Sequence, residues 1–296
     1  MPNSIIIENK INKFNKVINV SGDKSLSIRW VLLSSLADGV SKARNLLISD
    51  DVLSALKTIK KLGINSTIKK NECKIYGKGF EGYNYKKKIT INAGNSGTLS
   101  RLILGLLVNA SKPIKLIGDK SLSKRDFTRI SNPLSKFGAK FNLNKNKNLP
   151  LIMHGTSDLR PIKYIEDKGS AQCKSSVIFA GMRSKGTTYI RAKKSRNHTE
   201  LLCKYLNLPV TVKKGKKYDE IKVRKVKSIK PLNYNIPSDI SSSAFFLVLT
   251  ALSEKSQLKI KNININPSRI GIIRILKKMG IIINFINQRY YKGEKI

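Results

Sequence analysis

Four segments of the chain repeat one order of sequence features, at intervals of about 70 residues. Each segment opens with a short turn and continues into a strongly apolar stretch that is typical of a helix. The turns are anchored at Gly22, Gly94, Gly169 and Pro237. Repeats of this length fold as supersecondary units that bury their apolar faces against one another. The repeat therefore limits the possible folds more than any other feature of the sequence.

Each unit has the same predicted order of elements, helix–strand–helix–strand–strand, so the fold class is α/β. The first helix is apolar on nearly every side, and we expect it to be buried in each copy, over residues 26–37, 99–108, 177–182 and 244–252. The next strand is expected at residues 43–48, 113–117, 187–191 and 257–260. The second helix of each copy should end near a residue suited to a C-cap. In the order of the four copies, these residues are Gly63, Gly138, Asn207 and Gly280.

Length and composition limit the class of protein. With 296 residues and a hydrophobic content of 40%, the chain can bury a substantial core. No apolar run is long enough to cross a bilayer, and the first 20 residues lack the pattern of a secretory signal. The widely spaced Cys73, Cys173 and Cys203 indicate reduced thiols, and neither a disulfide framework nor a metal site. We therefore predict a cytoplasmic protein without a metal.

The net charge of +40 has two interpretations. It can reflect a lysine-rich, solvated surface around a pocket for acidic metabolites, or a nucleic-acid-binding role. The lysines are spread along the whole chain, in short pieces such as residues 86–88 and 213–217. This distribution favours the solvated surface.

The turn that opens the first unit combines a lysine, a hydroxyl and an arginine. Lys24 and Ser25 begin the helix, and Arg29 lies one turn after Ser25 on the same face. Unpaired N–H groups and partial positive charge at a helix N-terminus favour a phosphate or carboxylate there. The alternative is a structural turn, in which Ser21 or Asp23 caps the helix and the two cations are solvated.

The second opening contains Asn95, Gly97 and Thr98, and its glycine would let a ligand approach the backbone. Arg101 follows in the helix and could face either this site or a neighbouring carboxylate. Arg125 belongs to a charged loop after the next strand, and such clusters are commonly just solvated. An anion site and an ordinary glycine-containing turn both fit these residues.

The third and fourth openings are less distinctive. Ser170 and Gln172 could donate to a phosphate or a sugar hydroxyl, although Ser170 could equally be an N-cap. We expect Cys173 to be a small packing residue and His198 to be a cap or surface group. Asp239 has no cation beside it in the sequence, and an N-cap is favoured over a general base.

Taken in order, these segments resemble the 5-enolpyruvylshikimate-3-phosphate synthase family, also called the 3-phosphoshikimate 1-carboxyvinyltransferases. Each motif alone is modest, but together they run in family order from residue 21 to about residue 280. The matching stretches are SGDKSLSIRWVLLSSLADG, NAGNSGTLSRLILGLL, GDKSLSKRDFTRISNPLSKFGA, KGSAQCKSSVIFAGM, KSRNHTELL, IPSDISSSAFFLVLTAL and NPSRIGIIRILKKMG.

The resemblance implies transfer of the enolpyruvyl group of phosphoenolpyruvate to the 5-hydroxyl of shikimate 3-phosphate, with release of phosphate, on the route to chorismate and the aromatic amino acids. It implies no cofactor and no metal, and a monomer whose partners are these two small molecules. The implied shikimate 3-phosphate ligands are Lys24, Ser25, Arg29, Ser170, Ala171 and Gln172. The implied phosphoenolpyruvate ligands are Gly97 and Arg125, with Asn95 and Thr98 shaping that loop, Lys24 shared and Gln172 nearby.

The family fold implies two domains of three units each, which close on the substrates. By this analogy residues 21–236 form one complete domain, and residues 1–20 with 237–296 form part of the other, so four of six units are present. We therefore expect a C-terminally truncated protein or a partial reading frame, with the family's catalytic residues beyond Ile296.

Three rival hypotheses remain. The related UDP-N-acetylglucosamine 1-carboxyvinyltransferases share the repeats, but they would require alanine-lysine-asparagine in place of residues 23–25 and a reactive cysteine near residues 110–125. A fragment could bind shikimate 3-phosphate without turnover. A basic nucleic-acid-binding protein should interleave aromatic residues with its basic runs, and only Tyr83, Tyr85 and Tyr218 hint at this.

Overall fold

The computed structural model describes residues 11–85 and 87–296, and over these residues the chain alternates helices with small sheets. The α-helices are α1 Lys24–Ser35, α2 Asp50–Lys61, α3 Gly97–Leu106, α4 Thr128–Lys136, α5 Ala171–Gly181, α6 His198–Tyr205, α7 Ile240–Leu252 and α8 Gly271–Lys278. The strands are β1 Asn15–Ile18, β2 Asp38–Arg44, β3 Ser66–Lys69, β4 Glu72–Lys78, β5 Ile89–Asn92, β6 Ile114–Ile117, β7 Lys140–Leu143, β8 Leu151–His154, β9 Lys163–Glu166, β10 Thr187–Lys193, β11 Val210–Lys213, β12 Tyr218–Arg224, β13 Tyr234–Asn235, β14 Gln257–Ile260, β15 Tyr290–Tyr291 and β16 Glu294–Lys295.

Three four-stranded sheets have the same topology, in the orders β13-β2-β4-β3, β5-β6-β8-β7 and β9-β10-β12-β11. In each sheet the first two strands are parallel and the other neighbours are antiparallel. In the second and third sheets a buried helix connects the parallel pair. The first sheet is completed by β13, which follows the third unit in the chain, so the three units form a closed set.

A fourth unit begins where two chain segments run side by side. Gly22 and Ser238 form an antiparallel bridge, and the Asp23 amide donates to the Pro237 carbonyl oxygen at 2.8 Å. Outside this crossing, β1 pairs in parallel with β14, with Asn15 opposite Gln257. The N-terminal strand therefore supplies the parallel partner of the fourth unit, just as β13 supplies that of the first.

The core lies between the first helices of the three sheets. Helices α1, α3 and α5 are almost entirely buried, as their apolar composition predicts. Helices α3 and α5 approach so closely that a Cβ atom on Gly105 would lie 2.2 Å from the carbonyl oxygen of Ser176. One polar group of this core is paired with the backbone, since the indole N–H of Trp30 donates to the Leu232 carbonyl oxygen at 2.8 Å.

The repeat and its helix ends are confirmed. Gly63, Gly138 and Gly280 follow α2, α4 and α8 with positive φ angles of 85°, 110° and 89°, and Asn207 follows α6 with φ of 53°. The left-handed conformation at these positions ends each second helix, as the C-cap pattern predicts. Over the described residues, no helix is both long enough and apolar enough to cross a membrane.

Two expectations are wrong. The first-unit strand is predicted at residues 43–48, but β2 ends at Arg44, because Asn45 adopts a positive φ of 54° and turns the chain out of the sheet. Helix α7 is not buried, and Phe245 and Leu252 are 79% and 77% exposed. The reason is that α1, α3 and α5 cover one another, whereas α7 packs chiefly on β14 and α8 within the described residues.

Substituting Gly105 by alanine should weaken the packing of α3 on α5. The added Cβ would meet a backbone oxygen of α5, which cannot move away without displacing the helix. We expect the free energy of unfolding to fall by about 1–3 kcal/mol, the usual effect of overpacking a core. Urea denaturation followed by circular dichroism measures this change.

Gly271→Ala is the matched control, because Gly271 is also helical and a Cβ atom added there would have no heavy atom within 4 Å. Its stability should stay unchanged or rise slightly, since alanine loses less conformational freedom than glycine in a helix. An equal loss in both variants would contradict a packing role for Gly105.

Candidate anion-binding site at three helix N-termini

The N-termini of α1, α3 and α5 lie at the same end of the core. Arg29, in the second turn of α1, donates from Nη2 to the Oγ of Ser175, in the second turn of α5, at 3.1 Å. Arg101, in the second turn of α3, donates to the Oε1 of Gln172, in the first turn of α5, at 2.9 Å. Three positive helix ends therefore face one region, which favours an anion.

At the first opening, one residue caps the helix and one cation stays partly exposed. Asp23 caps α1 by accepting from the Leu26 amide at 3.0 Å, as one alternative predicted. Lys24 is about half exposed, and its Nζ lies 3.6 Å from a carboxylate oxygen of Asp51. Its side chain is therefore available to a ligand.

Arg29 is not solvated, which corrects the structural alternative. It is 2% exposed, and it donates to Thr199 Oγ1 at 2.7 Å and to the Ser25 carbonyl oxygen at 3.0 Å. Burial lowers the pKa of Arg29 to about 10, so the group stays protonated at neutral pH. Arg29 therefore lies beneath Ser25, in the floor of the opening.

At the second opening, two guanidinium groups approach Gly97. A Cβ atom on Gly97 would lie 2.7 Å from Nη1 of Arg101 and 2.7 Å from Nη1 of Arg125. The absence of a side chain therefore admits both cations to the N-terminus of α3. Asn95 is held beside them by donating to Asp119 Oδ2 at 2.5 Å.

At the third opening, Gln172 connects two helices. Its Nε2 donates to Thr98 Oγ1 at 3.0 Å, and its Oε1 accepts from Arg101. Ser170 caps α5 by accepting from the Cys173 amide at 3.2 Å. Ala171, the first residue of α5, is partly exposed beside it. The structure thus brings the second and third openings together.

Two neighbours of this opening point inward. Lys174 is 1% exposed, and its Nζ lies 2.6 Å from Glu200 Oε1, so this cation forms a buried ion pair and does not reach the surface. Cys173 is buried, and burial raises the pKa of its thiol, in agreement with a packing role. Over the described residues, no cluster of three or more His, Cys, Asp or Glu side chains is placed to hold a metal ion.

The fourth opening contains a cation that its own stretch of sequence does not supply. Asp239 caps α7 through the Ser241 amide at 2.7 Å, which confirms the N-cap prediction. Arg269 donates to Asp239 Oδ1 at 3.1 Å and to Asp23 Oδ2 at 2.9 Å. No local pattern could reveal this contact, because the arginine comes 30 residues after Asp239 and the pairing depends on the tertiary fold.

His198 is fully buried, so its predicted place as a cap or surface group is wrong. Its Nδ1 lies 2.7 Å from Glu294 Oε1, and its Nε2 lies 3.2 Å from Nη1 of Arg269. A guanidinium can only donate, so Nε2 accepts and Nδ1 carries the proton that is donated to Glu294. These contacts link the α6 N-terminus to the fourth unit.

Glu294 ends this chain of contacts. Burial opposes its ionisation, but hydrogen bonds from His198 and from Asn266 Nδ2, at 2.9 Å, outweigh burial and hold the pKa of Glu294 below its usual value. Because the folded pKa is depressed, ionised Glu294 stabilises the fold above its unfolded pKa, and this contribution is lost as the pH falls through the folded value.

The Glu294→Gln variant should therefore be less stable than the wild type at pH 7, and the difference should shrink as the pH is lowered below the ordinary glutamate value of 4.5. Urea denaturation over this pH range gives both free energies of unfolding. Glu254→Gln, at an exposed glutamate, is the control and should follow the wild type throughout. A gap that is independent of pH would contradict the role assigned to ionised Glu294.

Comparison with known proteins identifies the family. Residues 8–293 match the model of the EPSP synthase (3-phosphoshikimate 1-carboxyvinyltransferase) family. Relatives named 3-phosphoshikimate 1-carboxyvinyltransferase include those of Ruthia magnifica, 40% identical over 96% of this chain and 64% of the relative, and Leuconostoc citreum, 38% identical over 89% of this chain and 60% of the relative.

A solved structure of EPSP synthase from Acinetobacter baumannii superposes with a TM-score of 0.87 at 33% identity, covering 96% of this chain and 64% of that one. The chain thus spans less than two thirds of the length of these relatives. The matched residues, the shared fold and the arrangement of the three openings agree, and the chain belongs to the EPSP synthase family.

Proposed function

We propose that this chain binds shikimate 3-phosphate and phosphoenolpyruvate for enolpyruvyl transfer, which forms 5-enolpyruvylshikimate 3-phosphate and releases phosphate. The observation that carries the proposal is the meeting of three helix N-termini with Lys24, Arg101 and Arg125. Both substrates carry a phosphate and a carboxylate, and each such group suits a positive helix end next to a cation.

The two substrates are assigned to adjacent parts of this region. We assign shikimate 3-phosphate to the openings of α1 and α5, and the ligands are Lys24, Ser25, Ser170, Ala171 and Gln172, with Arg29 adding its charge from the floor. We assign phosphoenolpyruvate to the α3 opening, and the ligands are Asn95, Gly97, Thr98 and Arg125. The Gln172 contacts to Thr98 and Arg101 support this adjacency.

A two-domain division at residues 21–236 is part of the proposal. The closed set of three sheets and the crossing of the two segments at Gly22 and Ser238 support it. The described residues 11–20 and 237–296 then belong to the second domain, while residues 1–10 lie outside the described part of the chain. Monomeric state and cytoplasmic location remain predictions.

Two of the rival hypotheses have less support. The related UDP-N-acetylglucosamine family would place a reactive cysteine near residues 110–125, and none occurs there. Two of the three tyrosines that hinted at nucleic-acid binding, Tyr83 and Tyr85, pack against the core, and the Tyr83 hydroxyl bonds to Ser35. The relatives are named 3-phosphoshikimate 1-carboxyvinyltransferase, which agrees with the proposed reaction.

Calorimetric titration of the 296-residue chain with shikimate 3-phosphate tests the proposal. Lys24→Met should weaken binding by about tenfold or more, because a charge-assisted hydrogen bond is removed. Lys213→Met is the control, since this lysine is exposed on β11, and its affinity should equal that of the wild type. Absence of binding to the wild type, or an equal loss in both variants, would contradict the assignment.

Gly97→Ala should weaken phosphoenolpyruvate more than shikimate 3-phosphate. The new Cβ displaces the guanidinium ends of Arg101 and Arg125, which are flexible, so the fold should persist while the cations move away from the α3 N-terminus. Titration with phosphoenolpyruvate in the presence of saturating shikimate 3-phosphate measures the effect, and an unchanged melting temperature confirms the fold. An unchanged affinity would place phosphoenolpyruvate elsewhere.

A further inference from the structure

Two N-cap residues meet at the crossing between the three-unit core and the fourth unit. Asp23 caps α1 and Asp239 caps α7, and both carboxylates are largely buried. Asp239 also reaches across the crossing, because its Oδ2 accepts from the Lys24 amide at 3.2 Å. The first turn of α1 is thus held by one carboxylate from each chain segment.

Arg269 binds both carboxylates at once. Its side chain is 4% exposed, with Nη1 directed to Asp23 and Nη2 to Asp239. Nη2 also donates to Ser241 Oγ at 2.7 Å, and Nη1 meets His198 Nε2. Since the guanidinium is a rigid planar fork, these contacts fix the distance and orientation of the two caps.

We propose that Arg269 is a positioning residue for the substrate opening at α1. It orients Asp23 and Asp239, and these two carboxylates hold the amides of Leu26 and Lys24 on either side of Ser25. The inference rests on the proposed function, because it assigns the consequence to the binding of shikimate 3-phosphate at Lys24 and Ser25.

Charge gives Arg269 a second effect in the same direction. Two buried carboxylates beside an opening for a phosphorylated acid would repel that ligand, since Coulomb forces are strong where water is scarce. Arg269 compensates the two negative charges through the carboxylate oxygens that do not accept from the Leu26 and Lys24 amides.

The ligand test compares three variants of the full chain by calorimetry with shikimate 3-phosphate. Arg269→Gln should weaken binding by about tenfold, the effect of one lost charged contact. Arg269→Lys keeps the charge but not the fork, and it should recover part of the loss. Arg274→Gln is the control, because Arg274 is exposed on α8 and should leave the affinity unchanged.

A double-variant cycle separates positioning from a general loss of structure. If Arg269 acts through the α1 opening, Arg269→Gln should cost little further affinity once Lys24 is replaced by methionine. Additive losses would show that Arg269 acts elsewhere, and so would an unchanged affinity in Arg269→Gln. Either result would overturn the proposal.

Amide hydrogen exchange tests the same idea without a ligand. In Arg269→Gln the amides of Lys24 and Leu26 should exchange faster, while that of Leu99, which Ser96 caps at 3.2 Å in α3, should keep its rate. Faster exchange in all three would indicate global destabilisation, and unchanged rates would remove the positioning role. If the wild type fails to bind shikimate 3-phosphate, the proposed function fails, and the exchange rates still decide what Arg269 does.

Discussion

The close parallel packing of α1, α3 and α5 is the constraint on which the rest of the structure depends. It requires a residue without a side chain at Gly105, and it places small hydroxyl residues such as Ser175 and Ser176 where larger ones would separate the helices. Because the helices run parallel, their positive N-termini meet at one end. The same packing that builds the core therefore creates the electrostatic character of the site.

That concentration of positive charge is balanced within the protein only in part. Burial lowers the pKa of Arg101, and the neighbouring Arg125 adds to this effect, so the Arg101 guanidinium lies in an unfavourable environment. Asp51 and Asp119 contact Lys24 and Asn95 at the rim, but no carboxylate ion-pairs with Arg101 or Arg125 among the described contacts. An anionic ligand would relieve this repulsion, and a bound phosphate therefore gains from charges that the fold had already brought together.

Local patterns predicted the parts of the fold that local physics determines. The repeat, the left-handed residues after the second helices and the caps at Asp23 and Asp239 all follow from short stretches of sequence. The return of β13 to the first sheet does not, because its partner Ala43 is about 190 residues away. The link from His198 to Glu294 was missed for the same reason, since a histidine at a helix start looks exposed until a distant segment covers it.

The fourth unit is attached to the three-unit core in a different way from the other units. Its helix α7 has the apolar sequence of α1, α3 and α5 but not their packing, and its exposed Phe245 and Leu252 show that composition alone does not bury a helix. Besides the stacking of Tyr291 on Tyr234, a polar network of Arg269, His198 and Glu294 holds this unit to the core, and these groups are buried and hydrogen-bonded to one another. A polar junction of this kind fixes orientation more strictly than apolar packing, because each donor requires its acceptor at one position. Through Arg269 and Asp239, the fourth unit therefore orients the α1 opening, although both residues are far from that opening in sequence.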